Sequence, residues 1–275
     1  KKHIVYYGGP LTDTTAKFIA DHFDVFIGDV MYQGATAVLP KNYKPSMVVL
    51  TYRCTFSMHA SYDDWTEVNQ HEDWFLHDVN GARLRDKGYA AYIMDVGNPE
   101  WRNHYANYCK NKLQAFPGVD GIFGDNAYTQ FPNWIFSVPS DQVPPQPNWH
   151  NDMNTLIELV KSLIGNKLFV INSNDYNGDY LSRCDGQMLE GFMHGSWSTV
   201  DQWEDPYSWL KPLNDLSKLN KYVFLLTGTK PDSEEKMHAI AVYGLASAYI
   251  ASEGTKVASG FHKGVTDVYS RYVPE

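Results

Sequence analysis

The sequence predicts an α/β fold, a (β/α)₈ TIM barrel that forms a single domain over residues 1–275. The length of 275 residues fits one such barrel, which typically needs roughly 250. Apolar residues make up 43% of the chain, enough for a full-sized core. Short apolar runs alternate with amphipathic stretches along the chain, and this alternation is typical of parallel α/β folds.

Eight of these apolar runs are predicted to be the barrel strands. They lie at residues 3–7, 24–27, 47–52, 119–124, 167–172, 187–190, 222–227 and 257–261. A ninth run, 91–94, leaves eight barrel strands if it belongs to an excursion after the third strand. If it belongs to the barrel instead, the sheet would have nine strands, a number that fits a closed barrel poorly.

Helical spacing of apolar residues predicts helices over 12–22, 152–164 and 233–250. Another helix is expected from Asn98 to about Ala115. Asn favours the cap position, Pro99 fits the first helical position, and Glu100 favours the positive end of the helix dipole.

Long connections are predicted after the third strand (53–90) and after the fourth (126–150). Loops that follow the strands of a barrel lie on the face that carries active sites. Long loops inside a compact domain are usually functional. We therefore expect both connections to shape a binding site, with an indifferent surface insertion as the alternative.

Composition restricts the partners of the chain. The net charge of −9 argues against nucleic acid, which needs clustered Lys and Arg. No apolar run is long enough for a membrane span. The three cysteines are not spaced as a disulfide framework. We expect a secreted or cell-surface protein, although no signal is present in this sequence and a cytoplasmic location stays open. The oligomeric state is left open.

Acidic residues at strand ends are the strongest candidates for chemistry. Asp125 ends the fourth strand, Glu190 ends the sixth, and Asp95 ends the run 91–94. A carboxylate that points into a barrel mouth is costly without a role, because burial penalises its charge. Strands four and six are two apart around the barrel, so their side chains can face each other across a gap the size of a sugar.

Two facing carboxyl groups are what hydrolysis of a glycosidic bond requires. We therefore predict a glycoside hydrolase acting on a polysaccharide or oligosaccharide, with Asp125 and Glu190 catalytic and retention of configuration favoured. The 8 Trp and 19 Tyr supply rings that can stack on sugars. The alternatives are a carbohydrate-binding barrel without activity and a metal-dependent lyase of enolase type. No lysine ends a strand near these acids, which disfavours the lyase.

Neither a cofactor nor a metal is predicted. The chain has no glycine-rich phosphate loop, and its 10 His are scattered without the spacing of a zinc site.

Polar and aromatic residues that end or follow strands are predicted to bind the substrate, with rim structure as the alternative for each. Arg53 is predicted to orient a catalytic carboxylate, or else to form a structural salt bridge. Trp197 follows Glu190 and is predicted to be a stacking platform. The remaining candidates are Tyr6, Asp29, Tyr52, Asp95, Asn126, Tyr128, Asn172 and Asn174.

Three motifs in series resemble a known group. They are Trp-Phe-Leu-x-Asp-x-Asn-Gly over 74–81, Asn-Pro-Glu-Trp-Arg over 98–102, and Asp-Gly-x-Phe-x-Asp-Asn over 120–126. The series resembles glycoside hydrolases of TIM-barrel type, closest to hypothetical glycosyl hydrolase family fifteen. It is similar more distantly to polygalactosaminidase-like and α-galactosidase-like barrels. The resemblance is strongest over residues 70–130.

This resemblance implies roles for the acids. In the α-galactosidase-like barrels the acid of strand four is the nucleophile and the acid of strand six is the acid/base. Carried over, Asp125 takes the first role and Glu190 the second, and Asp95 lines the site. Those relatives usually have Asp on strand six, so the longer Glu190 departs from their pattern.

Overall fold

The computed structural model describes residues 1–173, 178–193, 207–228, 234–253 and 256–262. Within these ranges, eight parallel strands form one sheet, in the order β1-β2-β3-β6-β7-β8-β9-β10. These are β1 His3–Val5, β2 Val25–Gly28, β3 Val48–Cys54, β6 Gly121–Asp125, β7 Leu168–Asn172, β8 Gly186–Glu190, β9 Tyr222–Gly228 and β10 Val257–His262. A parallel bridge between Lys2 and Ser259 brings β10 beside β1 and nearly closes the sheet. The predicted (β/α)₈ barrel is confirmed.

Two short strands lie outside the barrel, in the connection between β3 and β6. β4 (Ser57–Met58) and β5 (Tyr92–Ile93) pair antiparallel in a sheet of their own. The run 91–94 therefore belongs to an excursion after the third barrel strand. The barrel accordingly has eight strands, with Asp125 at the end of the fourth and Glu190 at the end of the sixth.

The helices between the strands are α1 Asp13–His22, α2 Val30–Gln33, α3 Trp65–Val68, α4 Pro99–Ala115, α5 Trp149–Ile164, α6 Gly178–Arg183, α7 Tyr207–Ser217 and α8 Glu234–Ala251. The predicted start of α4 is confirmed. Asn98 Oδ1 accepts the backbone N–H groups of Glu100 at 2.8 Å and Trp101 at 3.2 Å, and Pro99 occupies the first turn. This cap satisfies amide donors that the helix itself leaves unpaired.

The core has two layers because side chains alternate across each strand. Residues such as Leu50, Phe123, Val170 and Met188 fill the barrel interior. Their neighbours along each strand pack outward against the helices. The interior set continues by the same alternation to the carboxyl end of the barrel, where it becomes Tyr7, Asp29, Tyr52, Asp125, Asn172 and Glu190. These six positions line the barrel mouth.

Three aspartates hold the opposite, amino-terminal end of the barrel. Asp24, Asp120 and Asp185 each directly precede a strand. Each one accepts a lysine Nζ, from Lys44 at 2.8 Å, Lys41 at 2.7 Å and Lys161 at 2.7 Å in turn.

Each of these aspartates also accepts a backbone N–H from the strand beside it. The donors are the amides of Lys2, Val49 and Phe169, at 2.9, 2.8 and 2.8 Å. The same device thus joins three pairs of neighbouring strands.

In the described part of the chain, none of the helices has the length and apolar character needed to cross a membrane.

Candidate active site

Asp125 and Glu190 meet at the barrel mouth through one amide group. Asn172 Nδ2 donates to Asp125 Oδ1 at 2.9 Å and to Glu190 Oε2 at 2.7 Å. The two carboxylate oxygens are therefore no farther apart than the sum of these two distances. One oxygen of each acid is thus held close to the other by the same amide.

The sheet places these three side chains together. β7 lies between β6 and β8, and it pairs Ile171 with Gly124 and Asn172 with Met188. Asp125, Asn172 and Glu190 have the inward orientation on three consecutive strands. Asn172 is only 2% exposed, and its backbone oxygen accepts the Ala127 N–H at 2.7 Å. The amide that joins the acids is thus fixed by the barrel itself.

A second donor reaches Asp125 from the other side. The Tyr52 hydroxyl donates to Asp125 Oδ2 at 2.8 Å, and the ring of Tyr7 contacts that of Tyr52 edge-on at 5.2 Å. Burial, together with the charge of Asp125, raises the pKa of Tyr52 well above its usual range. Tyr52 therefore stays protonated and acts as the donor toward Asp125. Both oxygens of Asp125 accept hydrogen bonds from neutral groups.

The protonation of Asp125 is set by two opposing effects. Burial raises the pKa of its carboxyl group, while the hydrogen bonds from Tyr52, Asn172 and the Asn126 amide lower it, and the net pKa is raised. The neutral donors thus offset burial only in part. This carboxyl group is more easily protonated than an exposed aspartate.

The backbone around Asp125 is held by Thr55. Both the amide and the hydroxyl of Thr55 donate to the Asp125 carbonyl, at 2.9 and 3.0 Å. Asn126 then takes a left-handed conformation with φ 58°, which Asn tolerates better than most residues. Its Nδ2 donates to Cys54 Sγ at 3.5 Å. The predicted residue Asn126 shapes the turn after the strand.

Tyr128 lies close to both acids. Burial raises its pKa, and the charges of Asp125 and Glu190 contribute in the same direction. Its backbone oxygen accepts the Trp149 indole N–H at 2.9 Å, which anchors the start of the connection after β6. Of the predicted binding residues, Tyr52, Asn172 and Tyr128 are brought to the acid pair.

Asp29 also lines the mouth, at the end of β2. Its carboxylate accepts the Met31 N–H at 2.9 Å and caps α2. Burial raises the pKa of Asp29 to about 6, opposed by the Met31 amide and the charge of Arg53. The mouth thus contains a second carboxyl group whose pKa burial raises.

Arg53 lies elsewhere, contrary to the prediction that it orients a catalytic carboxylate. The strand turns Tyr52 inward, so the adjacent Arg53 faces outward and is 3% exposed. Its Nη2 donates to Asp64 at 2.8 Å, and its guanidinium lies over the rings of Tyr62 and Tyr108. It forms the structural salt bridge that was the alternative.

Asp95 does not end a barrel strand, because β5 belongs to the excursion after β3 and not to the barrel. The carboxylate accepts the Gly97 N–H at 2.8 Å in the turn before α4. Its charge raises the pKa of Asp152 on α5, after the larger effects of burial and Arg102.

Tyr6 faces the outer layer, and its ring lies 6.4 Å from that of Phe26. The adjacent Tyr7 is the residue at the mouth. The alternation from inward-facing Val5 is the signal that would have identified it. Tyr89, in the connection after β3, was also missed. After burial, the charge of Glu190 is the largest effect raising the pKa of Tyr89, and Asp86 and Asp125 add to it.

The predicted residues Trp197 and Asn174 lie outside the described residues. Within the described residues, no group of three or more His, Cys, Asp or Glu side chains is placed to hold a metal ion.

Similar folds occur in proteins that cleave sugars. The glycoside hydrolase domain of PelA from Pseudomonas aeruginosa superposes with a TM-score of 0.65 at 12% identity, covering 97% of this chain and 96% of that one. TtGalA, an α-galactosidase from Thermus thermophilus, gives 0.58 at 13% identity, covering 100% of this chain and 60% of its own.

The maltogenic α-amylase AmyB from Thermotoga neapolitana gives 0.58 at 12% identity, with 96% of this chain and 66% of that one covered. At such low identities these likenesses show the fold. No curated protein matches the sequence.

A family model decides the relationship. The model described as "Hypothetical glycosyl hydrolase family 15" matches residues 41–271, which is most of the chain and includes Asp125, Asn172 and Glu190. The chain therefore belongs to hypothetical glycosyl hydrolase family 15 and is a glycoside hydrolase.

Proposed function

We propose that this chain hydrolyses glycosidic bonds in an oligosaccharide or polysaccharide with retention of configuration, Asp125 acting as nucleophile and Glu190 as acid/base. The observation that carries the proposal is the single amide, Asn172 Nδ2, hydrogen-bonded to both carboxylates. It holds one oxygen of each acid close to the other, which supports the short separation between carboxyl groups, roughly 5–5.5 Å, that is typical of retaining enzymes.

In the first step, protonated Glu190 would give its proton to the leaving oxygen as the glycosidic bond breaks. Asp125 would attack the anomeric carbon and form a glycosyl ester. In the second step, ionised Glu190 would take a proton from water, and the resulting hydroxide would displace Asp125. The sugar is released, and both carboxyl groups return to their starting states.

The environment of Asp125 supports its part in this cycle. Tyr52 and Asn172 donate to its two oxygens, so among the residues that the structure describes the side-chain donors to this carboxylate are neutral. A hydrogen bond from a neutral group leaves the charge available for attack, and either donor can stabilise the carboxylate when it departs again. The role of Glu190 rests on its position and on the resemblance.

The test is a glycan panel followed by analysis of the product. Purified protein is incubated with p-nitrophenyl α-D-galactopyranoside, stachyose, soluble starch, galactomannan and glycol chitosan, and new reducing ends are measured. For a glycan that is cleaved, proton NMR of the first product gives its anomeric configuration. We expect sugar to be released from at least one glycan. The first product should have the same anomeric configuration as the substrate.

No release from any glycan by a folded, monodisperse sample would contradict the proposed activity. Release with the opposite anomer would leave the activity standing and overturn retention and the nucleophilic role of Asp125.

A further inference from the structure

Two connections join beside the acid pair and form one surface, which we call the mouth platform (residues 85–91 and 131–137). The Lys87 amide donates to the Ile135 carbonyl at 2.8 Å and the Ser137 amide to the Arg85 carbonyl at 2.9 Å. Lys87 Nζ also donates to the Trp134 carbonyl at 2.7 Å. An antiparallel bridge pairs Asp86 with Phe136. The two segments therefore support each other.

The mouth platform exposes two large aromatic side chains. Tyr89 is 72% exposed and Trp134 is 55% exposed, whereas Phe136 of the same platform is buried. Burying an aromatic side chain is strongly favourable, so rings left open on a segment that is otherwise well held are candidates for contact with a ligand.

The platform is continuous with the acid pair. The ring of Trp134 lies 5.8 Å from that of Tyr128, and Tyr128 follows Asp125 by three positions in the chain. Tyr89 lies on the segment that hydrogen bonds and the Asp86–Phe136 bridge join to the segment of Trp134, and the charges of Asp125 and Glu190 contribute to the raised pKa values of Tyr89 and Tyr128, in keeping with this arrangement. Trp134 packs against Tyr128 and lies farther from the acids than that ring does.

We infer that Tyr89 and Trp134 form a subsite that stacks on a sugar ring beyond those flanking the cleaved bond. The ligand class follows from the surface: a flat aromatic face suits the apolar face of a pyranose, and neighbouring Asp86 and Lys87 offer polar groups for its hydroxyls. The enzyme would then act on sugar chains and gain affinity with chain length. This inference rests on the proposed function, since it assumes that the sugar at the acids belongs to the same chain.

Binding to polysaccharide tests the subsite apart from catalysis. The chain carrying Asp125→Asn, which does not consume its ligand, is run on native gels cast with soluble starch, galactomannan, xyloglucan or glycol chitosan, and on a plain gel. Trp134→Ala, Tyr89→Ala and Tyr249→Ala are added singly to it. Tyr249 is the matched control, because it is 62% exposed in the last turn of α8, which returns toward the amino-terminal end of the barrel.

We expect retardation in at least one polysaccharide gel. The apparent Kd should rise by about two- to tenfold for Trp134→Ala and Tyr89→Ala, with Tyr249→Ala unchanged. Trp134→Phe should restore most of the affinity, since it keeps a ring. Circular dichroism on each variant confirms folding.

Two results would overturn the subsite: no retardation of the parent chain in any gel, or equal retardation of the Trp134→Ala, Tyr89→Ala and Tyr249→Ala variants. Either result would leave the proposed function standing if the wild type releases sugar from the panel. Conversely, affinity that depends on Trp134 without any release would support the subsite and remove the proposed function.

Discussion

The two ends of the barrel treat aspartate differently. At the amino-terminal end, Asp24, Asp120 and Asp185 each accept a lysine and a strand amide. At the mouth, Asp125 accepts hydrogen bonds from the neutral side chains of Tyr52 and Asn172. Pairing with lysine neutralises the aspartates at the amino-terminal end and makes them part of the scaffold. The neutral donors at the mouth leave the charge of Asp125 available for a reaction.

Asp24 and Asp125 show the electrostatic consequence. Burial would raise the pKa of Asp24, but the hydrogen bond from Lys44, the Lys2 amide and the charges nearby hold it below its usual range. Burial does raise the pKa of Asp125, because neutral donors offset it only in part. The position of an aspartate along the strand therefore decides whether its charge stabilises the barrel or lowers the stability of the folded protein.

After the loss of Asp125 itself, the largest expected effect comes from replacing the other acid of the mouth. Glu190→Gln removes the proton donor, so turnover of a glycoside with a sugar leaving group should fall by about 10²–10⁴-fold. A 2,4-dinitrophenyl glycoside of the same sugar needs little protonation and should lose much less in its first step. Azide should then restore turnover and yield a glycosyl azide. A loss of equal size for both leaving groups would contradict the acid/base role.

A smaller loss is expected on removing the amide that joins the acids. Asn172→Ala deletes a donor to both carboxylates, and turnover should fall by about 10²-fold. The acidic limb of the pH–rate profile should move to higher pH, because the hydrogen bond that favours ionised Asp125 is gone. The control is Asn154→Ala, which removes a buried amide that donates to Asp179 at 2.7 Å on the helical side. If both variants lose activity equally, Asn172 has only a structural role.

Tyr52→Phe should have a milder effect of the same kind. It deletes one hydrogen bond to Asp125, so we expect about a tenfold loss of kcat and a shift of the acidic limb in the same direction. Tyr105→Phe is the matched control, since its buried hydroxyl donates to the Arg53 carbonyl at 3.4 Å and not to Asp125. An unchanged pH profile in Tyr52→Phe would remove Tyr52 from the control of Asp125.

The smallest effects are on stability, and their signs should be opposite. Folding lowers the pKa of Asp24. Its ionised carboxylate therefore stabilises the folded protein at pH values above the pKa of the unfolded state, and this stabilisation is lost as the pH falls through the pKa of the folded state. Asp24→Asn should thus lower Tm at pH 7 and converge with the wild type in acid. Folding raises the pKa of Asp125, so the ionised carboxylate destabilises the folded protein at pH values above the ordinary pKa of an aspartate.

Asp125→Asn should accordingly raise Tm at pH 7, with the difference closing as pH falls. Thermal unfolding of both variants from pH 3 to pH 8 measures this. Shifts of the same sign for the two variants at pH 7 would break the contrast between the ends of the barrel.

The sequence predicts the barrel and the two acids of its mouth because both depend on regular patterns. Apolar runs locate the eight strands, and a carboxylate directly after such a run lies at a strand end. Those two facts place Asp125 and Glu190 at one mouth. The helix start at Asn98 is equally local, since it requires only a cap, a proline and an acid in order.

Errors arise where a local pattern does not determine direction or partner. The run 91–94 resembles a barrel strand, but its pairing with Ser57–Met58 depends on distant residues, so the sequence could not decide whether Asp95 ends a barrel strand. Tyr6 and Arg53 each lie one position away from an inward-facing tyrosine. The mouth platform consists of two irregular segments held together by hydrogen bonds, so its apolar residues do not follow the periodicity of a helix or a strand. Tyr89 could therefore not have been identified from the sequence.

The central claim is that chemistry belongs to the carboxylate at the mouth and not to its counterpart on the same strand. Asp125→Asn and Asp120→Asn make the same change at and just before the two ends of β6. An asparagine at position 125 can still accept from Asn172 and donate to Tyr52, so the fold should survive.

The decisive measurement is the initial rate of both variants on a glycan that the wild type cleaves. The account predicts a loss of about 10⁴-fold or more for Asp125→Asn and a near-normal rate for Asp120→Asn. Near-normal turnover by a folded Asp125→Asn variant would contradict it.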